Sequence, residues 1–191
     1  MAHLSILGTG NMGQAIATVA GKGGHTVQLL GQGDTDSPIA GDVVVLAVPY
    51  PAVATVLSQR GDQLAGKVVV DITNPLNFET FDDLVVPADS SAAAEIAAAL
   101  PDSRVLKAFN TNFAGTLATG TIDGSTTTVL IAGDDADAKS TLAGIVTSGG
   151  LAVVDAGGLK RARELEALGF LQLTLAANEK ISWTGGFGVN A

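Results

Sequence analysis

Residues 3–33 read HLSILGTGNMGQAIATVAGKGGHTVQLLGQG, a strand, a glycine-rich turn, a helix and a second strand. Gly8, Gly10 and Gly13 have the spacing G-x-G-x-x-G. In a chain with 24 glycines that spacing also arises by chance, so its setting decides the reading. An apolar strand, Leu4 to Leu7, precedes it, and a run of helical period (Met12, Ile16, Val19, Ala20) follows. This is the setting of a dinucleotide-binding turn. Gly8 permits the sharp turn out of the strand, Gly10 the approach of a pyrophosphate to backbone, and Gly13 close packing of helix on strand. The first N–H groups of the helix, with its dipole, face the phosphates.

Working outward, GKGG at 21–24 stops the first helix and Thr26 to Leu30 forms the second strand. Residues 31–41 are too few for the helix and strand that a full Rossmann half places there. The sheet is therefore expected to be trimmed after strand two, with the link crossing strand one as extended chain to reach a strand at Asp42–Pro49. Further helices are expected at Pro51–Gln59, Ser90–Leu100, Phe113–Leu117, Asp134–Ser148 and about Leu159–Asn178. They alternate with strands at Lys67–Asp71, Arg104–Ala108, Thr126–Ala132 and Leu151–Asp155. That alternation implies an α/β fold: a Rossmann-like, doubly wound parallel sheet in three αβα layers. The length of 191 residues suits one dinucleotide-binding domain over 1–191, with a C-terminal helix and tail from about 159.

Composition narrows the function classes. Net charge −9 and a pI near 4.4 oppose binding to nucleic acid or to an anionic membrane surface. There is no cysteine, hence no disulfide framework and no thiol nucleophile. No apolar run has membrane-spanning length, and the N-terminus does not read as a signal peptide, so a cytoplasmic location is expected. No H-E-x-x-H or Cys/His cluster suggests a metal, and no G-x-S-x-G elbow suggests a serine nucleophile. His3 and His25 fall at strand starts, away from the expected groove. Asp82-Asp83 and Asp134-Asp135 read as solvated loop and helix-start residues, and Lys107 as a snorkelling strand lysine, with approach to the cofactor as the alternative.

In doubly wound sheets, ligands bind at the carboxyl ends of the strands. Those ends here are Gly8-Thr9-Gly10-Asn11-Met12, Gly31-Gln32-Gly33, Ala47-Val48-Pro49-Tyr50, Thr73-Asn74-Pro75 and Ala108-Phe109-Asn110. Together they are the expected cofactor-binding residues, and no side chain is assigned as catalytic. Such a site suits hydride transfer between stacked rings, which needs positioning more than proton relays. After strand two, an acid would select NAD and an arginine NADP. Leu30-Gly31-Gln32-Gly33 holds neither, so NADP is favoured only mildly and NAD is possible.

The blocks GTGNMGQA, VVVLAVPY, VVVDITNPLN, VLKAFNTN and DAGGLKRARELEALGFLQLTLA, in this order, carry a resemblance. They are similar to the small NADP-dependent oxidoreductases related to coenzyme F-420-dependent NADP reductase, and to the reductase domain of STEAP-type ferric reductases. The resemblance implies NADP(H) bound by Thr9 to Met12 at its pyrophosphate. It implies Val48-Pro49-Tyr50 along the path to the nicotinamide, and the TNP and AFN blocks flanking that ring. It implies a small-molecule, flavin or deazaflavin-like hydride acceptor. The family's Gly-Ser-Arg after strand two appears here as Gly31-Gln32-Gly33. The alternative reading is a non-catalytic NAD(P)-binding sensor or partner module. A dehydrogenase for a small hydroxy acid or an imine ranks lowest, because its long helical substrate domain does not fit this length. Residues 76–87 and the tail Trp183 to Val189 are expected to shape the acceptor pocket, and the aromatic, glycine-rich tail suggests a homodimer.

Overall fold

The strands of the central sheet are short and almost wholly apolar because both faces are covered. In the computed structural model, which describes residues 1–189, seven strands form one sheet. The last two residues of the expected domain and tail, Asn190 and Ala191, lie outside the described residues. The strands are β1 (His3–Leu7), β2 (Thr26–Leu30), β3 (Val43–Leu46), β4 (Val68–Asp71), β5 (Arg104–Ala108), β8 (Thr128–Gly133) and β9 (Ala152–Gly157). Their order is β2-β1-β3-β4-β5-β8-β9. The two-residue strands β6 (Thr121–Ile122) and β7 (Ser125–Thr126) make a separate hairpin.

Alternate residues of each strand enter opposite cores. Leu4, Ile6, Val43, Val45, Val68 and Val70 meet α1 (Asn11–Lys22) and α5 (Ala136–Ser148). Leu7, Val44, Leu46, Val69 and Val105 meet α2 (Tyr50–Arg60) and α3 (Ala92–Ala99). Every residue of β3 is buried, which is why its sequence shows no alternation. The short α4 (Ala114–Thr119) and the long α6 (Ala162–Ala177) complete the helices. Two helices start on side-chain caps: Ser91 Oγ accepts from Ala94 N at 3.1 Å, and Asp135 Oδ1 from Ala138 N at 2.7 Å.

The expected trimming after strand two is borne out. β2 is the sheet edge, and β3 pairs in parallel with the far side of β1. Gly41 makes the crossing possible, since a Cβ there would lie 2.5 Å from Ser5 N. Ser5 Oγ accepts from Gly41 N at 2.8 Å, and Gln28 Oε1 accepts from both Ser5 Oγ and Ala40 N. Polar side chains of β1 and β2, Ser5 and Gln28, thus hold the backbone that replaces a helix.

One expectation is corrected. The sheet is parallel only through β5; β8 runs antiparallel to it, with Ala108 opposite Ile131 and Leu106 opposite Gly133. A parallel return would need a crossover to the opposite edge. Here α4 has six residues, about 9 Å of helix, too short to span a strand. Asn112 Nδ2 instead donates to the Thr128 carbonyl at 3.0 Å, so β8 enters from the carboxyl edge where β5 left. β9 then follows β8 in parallel through α5.

Candidate functional site

The turn after β1 sets the site. Gly8 has φ +121°, and a Cβ there would lie 2.1 Å from the Ala47 carbonyl oxygen. A Cβ on Gly13 would lie 2.1 Å from the Gly8 carbonyl oxygen. Both glycines are thus required by the protein's own backbone. Gly10 differs: it is exposed, has φ −71°, and a Cβ there would meet nothing within 4 Å. The fold does not need a glycine at this position, whereas a ligand lying against the turn would. Gly10 caps α1 with no side-chain bond, and no acid lies in the first turn. The helix therefore presents its N-terminal N–H groups and positive dipole end without a competing anion.

A cavity of about 640 Å³ opens beside this turn. Gly8, Thr9, Gly10, Gly31, Gln32, Ala47, Val48 and Pro49 of the expected set line it. Ala52, Thr55, Val56, Gln59 and Arg60 of α2 form the facing wall, and Thr35 of the crossing link adds to it. Asn11, Met12, Gly33 and Tyr50 are outside the lining. Met12 is half-buried against the core, and the Tyr50 hydroxyl donates to Glu95 Oε2 at 2.5 Å. Burial and that bond push the Tyr50 hydroxyl well above the ordinary tyrosine range. The Gly31 N–H donates to Asp34 Oδ2 at 2.7 Å, so it does not face the cavity as a free donor.

Thr73-Asn74-Pro75 and Ala108-Phe109-Asn110 lie farther along the same sheet edge, outside the cavity lining. The structure joins them to each other. Asn74 Nδ2 donates to the Asn110 carbonyl at 2.8 Å, and Asn110 Nδ2 donates to Asn74 Oδ1 at 2.9 Å and to the Leu165 carbonyl at 2.8 Å. Ala108 and Phe109 turn their side chains into the core. Phe109 has φ +62°, a strained conformation of about 1–3 kcal/mol that swings Asn110 towards Asn74. Thr73 Oγ1 and Asn110 Oδ1 are buried without a hydrogen-bond partner, leaving polar capacity unspent at these strand ends.

Gly169 of α6 lies against this pair: a Cβ there would sit 2.3 Å from Asn74 Oδ1 and 2.9 Å from the Asn110 carbonyl. Gly169→Ala would ordinarily stabilise a helix by about 1 kcal/mol. Here the expected result is the opposite, a lowered midpoint in thermal unfolding; a raised midpoint would show that the Asn74–Asn110 pair does not abut α6.

The expected snorkelling of Lys107 is corrected. Its side chain is fully buried, with Nζ 2.8 Å from Asp71 Oδ2, 2.8 Å from Glu166 Oε1 and 2.6 Å from the Thr73 carbonyl. Asp71 is its register partner across β4 and β5, so the two charges meet inside the sheet face and the lysine has no route to water. All three ammonium donors are committed. Glu166 also accepts from Ala92 N at 2.9 Å and Ala93 N at 3.3 Å, closing the N-terminus of α3. Burial raises the Glu166 carboxyl above its ordinary range, with Lys107 opposing. The cluster thus ties β4, β5, α3 and α6 together beneath the Thr73–Pro75 turn. Glu166 was not singled out from the sequence, because a Glu in a helix otherwise reads as solvated.

The remaining candidates take structural places. His25 Nδ1 accepts from Ala2 N at 3.0 Å, and its Nε2 lies 2.9 Å from Ser148 Oγ. Asp134 Oδ1 accepts from Leu159 N at 2.9 Å. The tail folds back on its own chain. Trp183 packs on Phe113 at 5.0 Å between ring centroids, and Phe187 N donates to Gln172 Oε1 at 3.0 Å. Among the described residues no helix is long and apolar enough to cross a membrane.

Comparison with known proteins bears out the resemblance read from the motif blocks. Residues 36–75 match the model of the family described as NADP oxidoreductase, coenzyme F420-dependent. The chain is 29% identical to the F420-dependent NADP reductase of Methanocaldococcus jannaschii over 166 residues, 85% of this chain and 74% of that one. It is 38% identical over 112 residues, 59% of this chain, to the rat metalloreductase STEAP3, of which it spans 22%. In fold it superposes with a TM-score of 0.86 on a crystal structure from Arthrobacter sp. FB24 described as a candidate F420-dependent NADP reductase. That match has 24% identity and covers the whole of both chains.

Proposed function

We propose that this chain is an NADP(H)-dependent oxidoreductase that passes a hydride between the nicotinamide and a flavin or deazaflavin-like small molecule. The observation that carries the reading is Gly10. It is a glycine that the fold does not require, set in the open at the uncapped N-terminus of α1 and beside a cavity of fitting size. The similarity to F420-dependent NADP reductases supplies the reaction class.

The residues fit a dinucleotide. Gly8, Thr9 and Gly10, with Asn11 and Met12 opening the helix, receive the pyrophosphate. Gly31, Gln32 and Gly33 border the adenosine ribose. Ala47, Val48, Pro49 and Tyr50 border the path along the sheet edge. Thr73, Asn74, Pro75, Ala108, Phe109 and Asn110 form the wall of the nicotinamide. NADP(H), when bound, supplies the hydride. The protein's part is to hold the ring: the mutual Asn74–Asn110 bonds, the Lys107 bond to the Thr73 carbonyl and the strained Phe109 give that wall one conformation. No proton donor is needed from the chain. The loop 76–87 and the tail border the acceptor side. The reading includes a cytoplasmic location and leaves pairing of two copies as part of the proposal.

Oxidation of NADPH, followed by absorbance under anaerobic conditions with FMN and with a deazaflavin as separate acceptors, tests it. Acceptor-dependent consumption is expected. Tight NADPH binding without turnover on either acceptor would contradict the reductase reading and favour a sensor module.

A further inference from the structure

The arginine that would select a 2′-phosphate from the end of β2 is missing here, yet one cation lines the cavity. Among the sixteen residues that line it, Arg60 is the only charged side chain, in a chain of net charge −9. Arg60 ends α2, is buried to 7% exposure, and projects from the wall facing Gly31 and Gln32. Its Nη1 donates to the Ser37 carbonyl at 2.9 Å and its Nη2 to the Asp34 carbonyl. Two of the five guanidinium donors are thereby used, and the rest are unspent. Asp34 lies outside the lining, its carboxylate accepting the Gly31 N–H.

We infer that Arg60 is the specificity-determining residue of this cavity, recognising the 2′-phosphate of an NADP-type dinucleotide from α2 rather than from the end of β2. This rests on the dinucleotide reading above. The shortened link makes it possible. With no helix between β2 and β3, the turn Asp34–Ser37 folds directly onto the end of α2, where Arg60 both anchors that turn and lines the cavity. A guanidinium held by two carbonyls is pre-organised for a fork-type bond to phosphate. Gln32 and Gln59, on either side, offer neutral donors to the same group.

The test is a set of affinities measured by calorimetry on the intact protein. Wild type should bind NADPH at least tenfold tighter than NADH, and 2′,5′-ADP tighter than 5′-ADP by a similar factor. Arg60→Met should weaken NADPH at least tenfold and NADH less than threefold, collapsing the ratio; Arg60→Lys should fall between. Equal weakening of NADPH and NADH in Arg60→Met would mean that Arg60 only anchors the turn, and would overturn the inference. If the Met variant does not fold, the two ADP isomers decide on wild type alone: equal affinities overturn the inference while leaving dinucleotide binding intact. If wild type binds none of the four ligands, the dinucleotide reading itself falls.

Discussion

Replacing Lys107 with methionine should lower stability by about 3–5 kcal/mol at neutral pH, the range expected when one partner of a buried ion pair is removed. For a chain of this length that is a fall in melting temperature of roughly 6–20 °C. The reason is the company Lys107 keeps. Asp71 and Glu166 are both buried, each 2.8 Å from its Nζ, and no solvent can take over when the ammonium is gone. Methionine fills most of the volume, so a cavity is not the main term. The Thr73 carbonyl loses its donor as well. Thermal unfolding followed by circular dichroism measures the effect. A loss below about 1 kcal/mol would mean that the three charges are not confined together inside the fold.

Gly10→Val should do the reverse: leave the fold nearly intact and remove dinucleotide binding. Valine is a poor N-cap, but the exchange of glycine for it there is worth about 1 kcal/mol or less, since Gly10 makes no side-chain cap bond to lose. The added atoms meet nothing of the protein within 4 Å at Cβ. They would occupy the space through which a pyrophosphate approaches the α1 N-terminus. A loss of affinity of roughly 100-fold, about 2.8 kcal/mol, is expected. Gly8 and Gly13 cannot serve as this probe, because a Cβ at either would strike backbone oxygen at 2.1 Å and disturb the fold with the site. Unchanged NADPH affinity in Gly10→Val would remove the phosphate turn from the account.

What was legible in the sequence was local. The glycine spacing, the strand before it and the helix after it act within a dozen residues, and the turn stands where they place it. The short link after β2 could be counted, and its length alone excluded another helix there. The direction of β8 could not be read, because a β-branched run has the same pattern in either direction. Only the short α4 and the bond from Asn112 to Thr128 decide it. Lys107 and Asp71 each stand inside a recognisable block, but their pairing depends on the register of two strands 36 residues apart. Glu166 and Gly169 answer to groups on other elements, and the one available signal was a glycine inside an otherwise strong helix pattern. Arg60 escaped for the same reason: it lies 26 residues beyond the turn it reaches, outside any reading confined to the end of β2.

The proposed function stands on an NADP-type dinucleotide binding at the turn Gly8 to Gly13 and in the cavity beside it. Calorimetric titration of the wild-type protein with NADPH tests it most directly. Saturable binding with one site per chain at micromolar concentrations is expected; absence of any binding heat or fluorescence change up to millimolar NADPH and NADH would rule out a dinucleotide site.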